Sequence, residues 1–102
     1  MNLPVPLAFD WDKGNMEKNS GKHQVMYKEA EEVFFNRPIR IFRDISHSQE
    51  EDRFVALGIT DKKRTLSMAF TIRSSKIRII SARDQSHKER KIYEQEKIDA
   101  AV

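Results

Sequence analysis

The chain has 102 residues, of which 38% are hydrophobic and 34% charged, and it contains no cysteine. That length fits one domain with a small core. The absence of cysteine excludes a disulfide framework and thiolate chemistry. No apolar run approaches the roughly 18 residues of a membrane span, and residues 1–9 do not resemble a signal peptide. We therefore expect a cytoplasmic protein with one domain over residues 1–94 and a frayed tail over 95–102.

The positive charge is concentrated in the second half of the chain. Residues 61–91 contain ten lysines and arginines against three aspartates and glutamates, a net charge of +7, whereas the whole chain carries +3. A one-sided positive field of this kind favours a polyanionic partner such as nucleic acid. A solvated charged surface is the alternative reading of the same charge.

The first half of the chain predicts a short strand and two helices. The strand covers Leu7–Phe9, and a weak helix over 13–22 follows Asp12, which can cap it. A second helix from about Met26 to Phe35 is predicted by apolar residues at helical spacing. It ends before Pro38, because the residue preceding a proline avoids the α region.

The second half predicts a sheet followed by a helix. Apolar runs and alternating residues indicate strands over 39–43, 53–59, 65–72 and 77–83. Their short connections predict a four-stranded antiparallel meander. A C-terminal helix begins at about Ser86, whose hydroxyl forms a capping box with Glu89. The expected fold is α+β, with an N-terminal short strand and two helices, the meander and the last helix, and with the helices covering one face of the sheet.

Three arginines lie near the ends of the predicted strands. Arg53 opens one strand and Arg83 closes another that runs parallel to it, so the two are expected at opposite ends of the sheet. Arg78 and Arg83 are five residues apart and therefore point to opposite faces of an ideal strand. A bulge near Ser81 would bring them to the same face. Each arginine can also be structural, paired with an acid such as Glu51 or Glu89.

The remaining polar residues suggest chemistry that needs no cofactor. His23, which follows Lys22, is a candidate general acid or base, although a lone histidine is more often packed or simply exposed. The hydroxyl of Tyr93 is a candidate phosphate contact, with a core position as the alternative. The sequence has no phosphate-binding glycine loop and no paired metal-ligand spacing. RNA supplies its own 2′-hydroxyl nucleophile, so basic side chains with a proton carrier suffice to cleave it.

Four segments of the sequence, taken in order, resemble the BrnT family of type II toxin–antitoxin ribonucleases. They are Phe9-Asp10-Trp11-Asp12, Lys22-His23 with the following Val25-x-Tyr27-x-Glu29-Ala30-x-x-Val33-Phe34, Glu51-x-Arg53 with Gly58, and Ile77-Arg78-Ile79-Ile80-Ser81-Ala82-Arg83 with Glu89-Arg90-x-x-Tyr93. Several positions depart from the family pattern, among them Asn36-Arg37-Pro38, which replaces the common aspartate-proline, and the longer tail beyond Tyr93. Asn15 stands where the family often has lysine, and Gln24 replaces a usual glycine.

The resemblance implies a RelE-like fold and an endoribonuclease that uses no metal or other cofactor and inhibits translation. It implies two partners, an RNA substrate and a BrnA-like antitoxin with a ribbon-helix-helix DNA-binding part, and contact with operator DNA only through the antitoxin complex. It suggests catalytic roles for Arg53, Arg83, Lys22 and His23, and substrate binding by Arg78, Arg90 and Tyr93. The alternative is a non-catalytic module that binds nucleic acid or the antitoxin.

Overall fold

A computed structural model of the chain describes residues 3–15 and 24–101. The elements in chain order are α1 (Tyr27–Phe35), β1 (Arg40–Arg43), a short 3-10 helix (Ile45–His47), β2 (Phe54–Ile59), β3 (Thr65–Arg73), β4 (Lys76–Asp84) and α2 (His87–Ala101). The strands form one antiparallel sheet in the order β1-β2-β3-β4. The α+β class and the four-stranded meander are therefore confirmed. Of the predicted helix over 13–22, residues 13–15 are helical and the rest lies outside the described residues.

The N-terminal segment runs along the outer edge of β4. The Ile77 amide donates to the Ala8 carbonyl at 2.8 Å, and the Asp10 amide donates to the Ile77 carbonyl at 2.8 Å. This parallel bridge between Phe9 and Ile77 is all that forms of the strand predicted at residues 7–9. It places the acidic residues that follow Phe9 beside the start of β4.

The main core lies between α1 and one face of the sheet. Its fully buried members come from α1 and its N-terminal flank, and from alternate residues of β2, β3 and β4: Val25, Ala30, Val33, Phe34, Ala56, Leu66, Met68, Phe70, Ile77, Ile79 and Ala82. The Phe34 ring meets the Phe70 ring edge-on with centroids 5.1 Å apart. We call this side of the sheet the inner face.

The second helix packs on the opposite side of the sheet, which we call the outer face. Leu57, Ile59 and Tyr93 form a separate buried cluster there. The expectation that all helices cover one face is wrong for α2. The cause is visible in β2, where Phe54–Ile59 is apolar at successive positions and so has two faces to bury.

A bulge in β4 determines which of its side chains reach the outer face. Ala69 pairs with Ser81 but Phe70 pairs with Ile79, so Ile80 has no residue opposite it. Because one extra residue reverses the alternation, Ile77 and Ile79 face the inner core on one side of the bulge and Ala82 does so on the other. Arg78 and Arg83 therefore share the outer face, as the sequence predicted for a bulge near Ser81.

The last helix extends further than the sequence pattern indicates. The capping box is present, since the Ser86 amide donates to Glu89 at 2.8 Å and the Glu89 amide donates to the Ser86 hydroxyl at 3.2 Å. Where the sequence predicts a frayed tail after residue 94, the chain is helical to Ala101. Among the described residues, no helix has the length and apolar character needed to cross a membrane.

Gly58 is the closest approach of β2 to α1, and we predict that it cannot be enlarged without loss of stability. A Cβ added at Gly58 would overlap Cγ1 of Val33. Gly58→Ala should therefore lower the free energy of unfolding by about 1–3 kcal/mol, measured by urea denaturation. Gly14→Ala is the control, because its Cβ would meet only Asp12 Oδ1, at 3.3 Å. In the double variant Gly58→Ala/Val33→Ala, a loss equal to the sum of the single losses would refute the clash.

Candidate nucleic-acid interface

One row of residues crosses all four strands at one end of the outer face. The Asp44 amide donates to the Arg53 carbonyl at 2.8 Å, which continues the β1–β2 ladder by one pair. Because Phe54 pairs with Phe70, the same register places Thr71 opposite Arg53. Thr71 is in turn paired with Arg78 on β4. Since opposed residues of antiparallel strands project to the same face, Asp44, Arg53, Thr71 and Arg78 form one transverse row.

Three arginines line a cavity of about 470 Å³ beside this row. Its lining residues are Asp12, Gly14, Asn15, Glu51, Arg53, Arg73, Arg78, Ile79 and Ile80. Two of the guanidinium groups are held by carboxylates: Arg73 pairs with Glu51 at 2.8 Å, and Arg78 pairs with Asp12 at 2.7 Å. The sheet and the N-terminal segment thus bring together side chains from three distant parts of the sequence, residues 12–15, 51–53 and 73–80.

Arg53 differs from its two neighbours. Among residues 3–15 and 24–101, no carboxylate forms an ion pair with its guanidinium, whereas Arg73 occupies both oxygens of Glu51, at 3.0 and 2.8 Å. The backbone of Arg53 is fixed, because its amide donates a hydrogen bond to the Ser48 hydroxyl oxygen at 3.0 Å. Arg53 therefore offers an uncommitted cation from a rigid position.

The carboxylates of the cavity are held in their charged form. A hydrogen bond from Arg73 lowers the pKa of Glu51 below its usual range. The Asn15 amide, and after it the Arg78 side chain, lower the pKa of Asp12. The five charged side chains of the lining, three cationic and two anionic, thus keep a net positive charge at neutral pH.

The next row of the outer face is apolar and partly open. It consists of Phe42, Val55, Ala69 and Ser81, paired in that order across the sheet. Phe42 is 39% exposed, although it is aromatic, and its neighbours in the row have short side chains. An exposed ring next to a shallow floor and a cavity lined by three arginines is the combination that single-stranded nucleic acids bind, by stacking and by phosphate contacts.

The comparison with protein families agrees with this surface. A family model described as the ribonuclease toxin BrnT of type II toxin–antitoxin systems matches residues 11–89. The chain belongs to the BrnT family. A comparison with curated proteins finds no match. Members of a family of type II ribonuclease toxins have two classes of partner, an RNA substrate and an antitoxin.

Arg83, one of the catalytic candidates, lies at the other end of this BrnT sheet. It pairs with Ser67, which is two rows beyond the Thr71 row. Its guanidinium donates to both oxygens of Glu89, at 2.6 and 3.0 Å. Arg53 and Arg83 are therefore separated, as their strand positions predicted, and the pairing of Arg83 with Glu89 matches the structural alternative.

The other candidates fall outside the cavity or outside the description. The Tyr93 ring is completely buried and its hydroxyl donates to the Pro38 carbonyl at 2.8 Å, which is the core position. Arg90 is exposed on α2, in a shallow cleft with His87, Lys91 and Glu94. Lys22 and His23 lie outside the described residues, so their proposed roles in proton transfer and phosphate binding stay predictions.

Asn15, the position where the family often has lysine, has a structural role in this chain. It is buried, and its side-chain amide donates to the Asp10 carbonyl at 3.2 Å and the Ile79 carbonyl at 3.0 Å. Its side-chain oxygen accepts from the Asp12 amide at 2.7 Å. Asn15 therefore fixes the N-terminal segment against β4 and contributes no charge to the cavity.

A larger cleft of about 810 Å³ runs along the β1 edge, but its cations are engaged. Arg37 donates to the carbonyls of Phe34 and Asn36, at 3.1 and 3.0 Å. Arg40 lies 3.5 Å from Glu96. This cleft has neither the uncommitted arginine nor the aromatic floor of the outer face.

The sequence interpretation overlooked two residues of the site, Arg73 and Phe42. The predicted strand over 65–72 ends one residue before Arg73, although Arg73 continues the alternation of Thr71. Phe42 alternates with Ile41 and Arg43 in a short strand, so its face depends on the register with β2. Correct extension of β3 by one residue would have indicated Arg73, whereas the exposure of Phe42 had no signal in the sequence.

Glu89 connects the last helix to the sheet, and this connection should fail in acid. Its carboxylate accepts hydrogen bonds from three donors: the Arg83 guanidinium, the Ser67 hydroxyl and the Ser86 amide. Burial raises the pKa of Glu89, but these hydrogen bonds outweigh burial and lower it from 4.5 to about 2. The stabilisation is therefore complete above pH 4.5 and disappears as the pH falls towards 2.

We predict that Glu89→Gln removes this pH dependence. The wild type should lose on the order of 2 kcal/mol more unfolding free energy than Glu89→Gln between pH 5 and pH 2, by the linkage between the pKa shift and stability. Denaturant titrations at a series of pH values measure the difference. Glu94→Gln is the matched control on the same helix, since Glu94 forms only an exposed pair with Lys97, at 3.5 Å. Parallel curves for wild type and Glu89→Gln would contradict the prediction.

Proposed function

We propose that this chain is the toxin of a type II toxin–antitoxin pair, a metal-independent endoribonuclease that inhibits translation in the cytoplasm by cutting RNA through attack of the 2′-hydroxyl. The observation that carries the proposal is the uncommitted Arg53 beside the cavity that Arg73 and Arg78 also line. The family match supports ribonuclease activity, and the geometry suggests where on the chain it resides.

In the proposed reaction, the phosphodiester lies in the cavity with a non-bridging oxygen on Arg53. The 2′-oxygen attacks phosphorus, and the bond from phosphorus to the 5′-oxygen breaks. Negative charge accumulates on the non-bridging oxygens in the transition state, where a positioned guanidinium stabilises it more than it stabilises the ground state. The products are a 2′,3′-cyclic phosphate and a 5′-hydroxyl end.

Arg73 and Arg78 serve as the flanking phosphate contacts in this proposal. Their pairs with Glu51 and Asp12 are exposed on at least one side, so each guanidinium can keep one carboxylate contact while it meets a phosphate. The carboxylates also hold the two side chains extended before RNA arrives, which reduces the entropy lost on binding. Affinity for RNA should accordingly fall as salt rises.

The Phe42 row supports a single-stranded substrate. A base next to a phosphate on Arg53 can stack on the Phe42 ring, because the two residues lie in adjacent rows of the outer face. Stacking accepts every base, so it favours unpaired RNA without selecting a sequence. A double helix, whose bases are already stacked on each other, cannot use the ring in this way.

The partner in this proposal is a BrnA-like antitoxin with a ribbon-helix-helix DNA-binding part, and the chain reaches operator DNA only within that complex. The positive cavity is a suitable place for inhibition, because an acidic antitoxin segment covering it would be attracted electrostatically and would exclude RNA.

Removal of the Arg53 guanidinium should abolish most of the cleavage. We expect Arg53→Ala to lower kcat/KM for single-stranded RNA by about 10²–10³-fold, the usual loss of one donor to a developing oxyanion. Arg40→Ala is the matched control. It removes the same charge from the outer face, but at a position outside the arginine cavity where the guanidinium lies 3.5 Å from Glu96. Gel-resolved cleavage of labelled RNA in EDTA measures both variants, and 2′-O-methyl RNA should remain intact.

Each alternative gives a different result in the same assays. Salt-dependent binding without products would identify a non-catalytic nucleic-acid module, and cleavage that requires a divalent metal would overturn the mechanism. Equal activity of Arg53→Ala and wild type would show that the active site lies elsewhere on the chain. Growth arrest on induction of the toxin, relieved by co-expression of a small neighbouring gene, tests the biological role and the antitoxin together.

Phe42 should contribute affinity through its ring. We expect Phe42→Leu to weaken binding of 2′-O-methyl RNA by about 5–100-fold, because loss of one stacked base costs about 1–3 kcal/mol. Phe42→Trp should restore binding, since it retains an aromatic face. Ile98→Ala, at an apolar side chain that is 59% exposed on α2, is the control and should leave the dissociation constant unchanged. Fluorescence anisotropy checks all three, and equal affinity of Phe42→Leu and wild type would exclude stacking there.

A further inference from the structure

The loop between β1 and β2 contains a histidine whose ring is held by a carboxylate. Nδ1 of His47 lies 2.9 Å from Oδ2 of Asp44 and 3.1 Å from the Ser46 hydroxyl, which in turn donates to Oδ1 of Asp44 at 2.9 Å. Asp44 is largely shielded, with 21% of its side chain exposed, whereas His47 is 61% exposed. This arrangement fixes Nδ1 against the carboxylate, while most of the side chain is open to solvent.

Asp44 precedes a 3-10 helix, but its side chain does not cap that helix. The helix covers Ile45–His47, and no hydrogen bond joins the Asp44 side chain to its backbone amides. Both carboxylate oxygens are instead used by side chains, those of Ser46 and His47. Burial acts to raise the pKa of Asp44, but these hydrogen bonds and the nearby charges outweigh it, so the pKa is lowered and the carboxylate remains charged. A capping role therefore does not explain why the three side chains are joined.

The same loop lies directly against Arg53. Asp44 is opposite Arg53 in the extended β1–β2 ladder, and the Ser48 hydroxyl donates to the carbonyls of both residues, at 2.6 and 3.2 Å. His47 and Arg53 line one cleft of about 230 Å³ together with Gln49, Glu50 and Glu51. Arg53 and Glu51 also line the arginine cavity, so the two depressions share these two residues.

We propose that His47 is the proton acceptor for RNA cleavage and that Asp44 is its positioning residue. In this step Nε2 of His47 takes the proton of the attacking 2′-hydroxyl as the bond from oxygen to phosphorus forms. The bond to the 5′-oxygen breaks, and that oxygen takes a proton from water. The imidazolium formed is stabilised by the Asp44 carboxylate and returns its proton to solvent through the open side of the ring. The proposal rests on the proposed function, since it assigns a role within that reaction.

The charges around the ring determine the expected pH dependence. Asp44 faces Nδ1, Glu50 and Glu51 line the cleft from the loop, and Arg53 faces it from the start of β2. A histidine that accepts a proton must be neutral at the start of the reaction, so the rate should rise with pH along an acid limb. Asp44→Asn removes the carboxylate that holds Nδ1 and stabilises the imidazolium, which should lower the maximal rate.

Two variants test the assignment on full-length protein. His47→Ala should lower kcat by about 10²–10⁴-fold, the usual contribution of general base catalysis, with KM for RNA little changed. Added imidazole should restore part of the rate, because the ring site is open to solvent. Asp44→Asn should lower kcat by about 10-fold, with KM for RNA and the melting temperature little changed. His87→Ala is the matched control, since His87 is an exposed histidine at the start of α2.

The results distinguish a failure of this inference from a failure of the proposed function. If Arg53→Ala loses cleavage while His47→Ala keeps the wild-type rate and pH profile, the ribonuclease assignment stands and the role of His47 is refuted. The same holds if His47→Ala is inactive but imidazole restores nothing and the variant also has a lowered melting temperature, because the residue is then structural. If the wild type itself cleaves no RNA, the proposed function fails.

Discussion

The position of one extra residue in β4 determines what the outer face of the sheet can do. Ile80 has no opposite partner, so the strand changes its alternation between Ile79 and Ala82 without losing either from the inner core. Without the bulge, the strand could not bury both of these residues, and either Arg78 or Arg83 would point inward, where an unpaired guanidinium is very costly. The bulge therefore lets one strand contribute to the core along its whole length and still present cations on the other side.

Those cations have different roles because their partners differ. Arg83 is held by a carboxylate that also caps α2, so its charge is used to attach the helix to the sheet. At the other end of the face, Arg78 and Arg73 have carboxylate partners that line the same cavity as they do. The α2 end of the outer face is thus closed and structural, whereas the end with the transverse row stays open. Residue type alone does not distinguish these roles; the position of the nearest acid does.

The sequence predicted the elements well, and it predicted their arrangement only in part. Apolar periodicity identified α1 and all four strands, and Ser86 with Glu89 identified the start of α2, because these signals are local. The placement of α2 on the outer face was missed, although the unbroken apolar run of β2 indicates burial on both sides. The joining of Arg53 with Arg73 depends on the register of β2 with β3, and that of Asp44 with His47 on the shape of a loop. No residue spacing in the sequence predicts either of these two arrangements.

Arg53 has no ion pair among the described residues because other arginines bind the carboxylates of its cavity. Glu51 is two residues from Arg53 and is the acid that the sequence suggested as a partner, yet Arg73 occupies both of its oxygens. Asp12, which the N-terminal segment brings to the same cavity, is bound by Arg78. Both carboxylates that line the cavity therefore already have an arginine, and pairing Arg53 with either of them would require breaking an existing bidentate or charge-assisted contact. An anion that arrives from outside meets Arg53 without that cost, so the arrangement of acids, more than the number of bases, supports our proposal that a phosphate binds at this position.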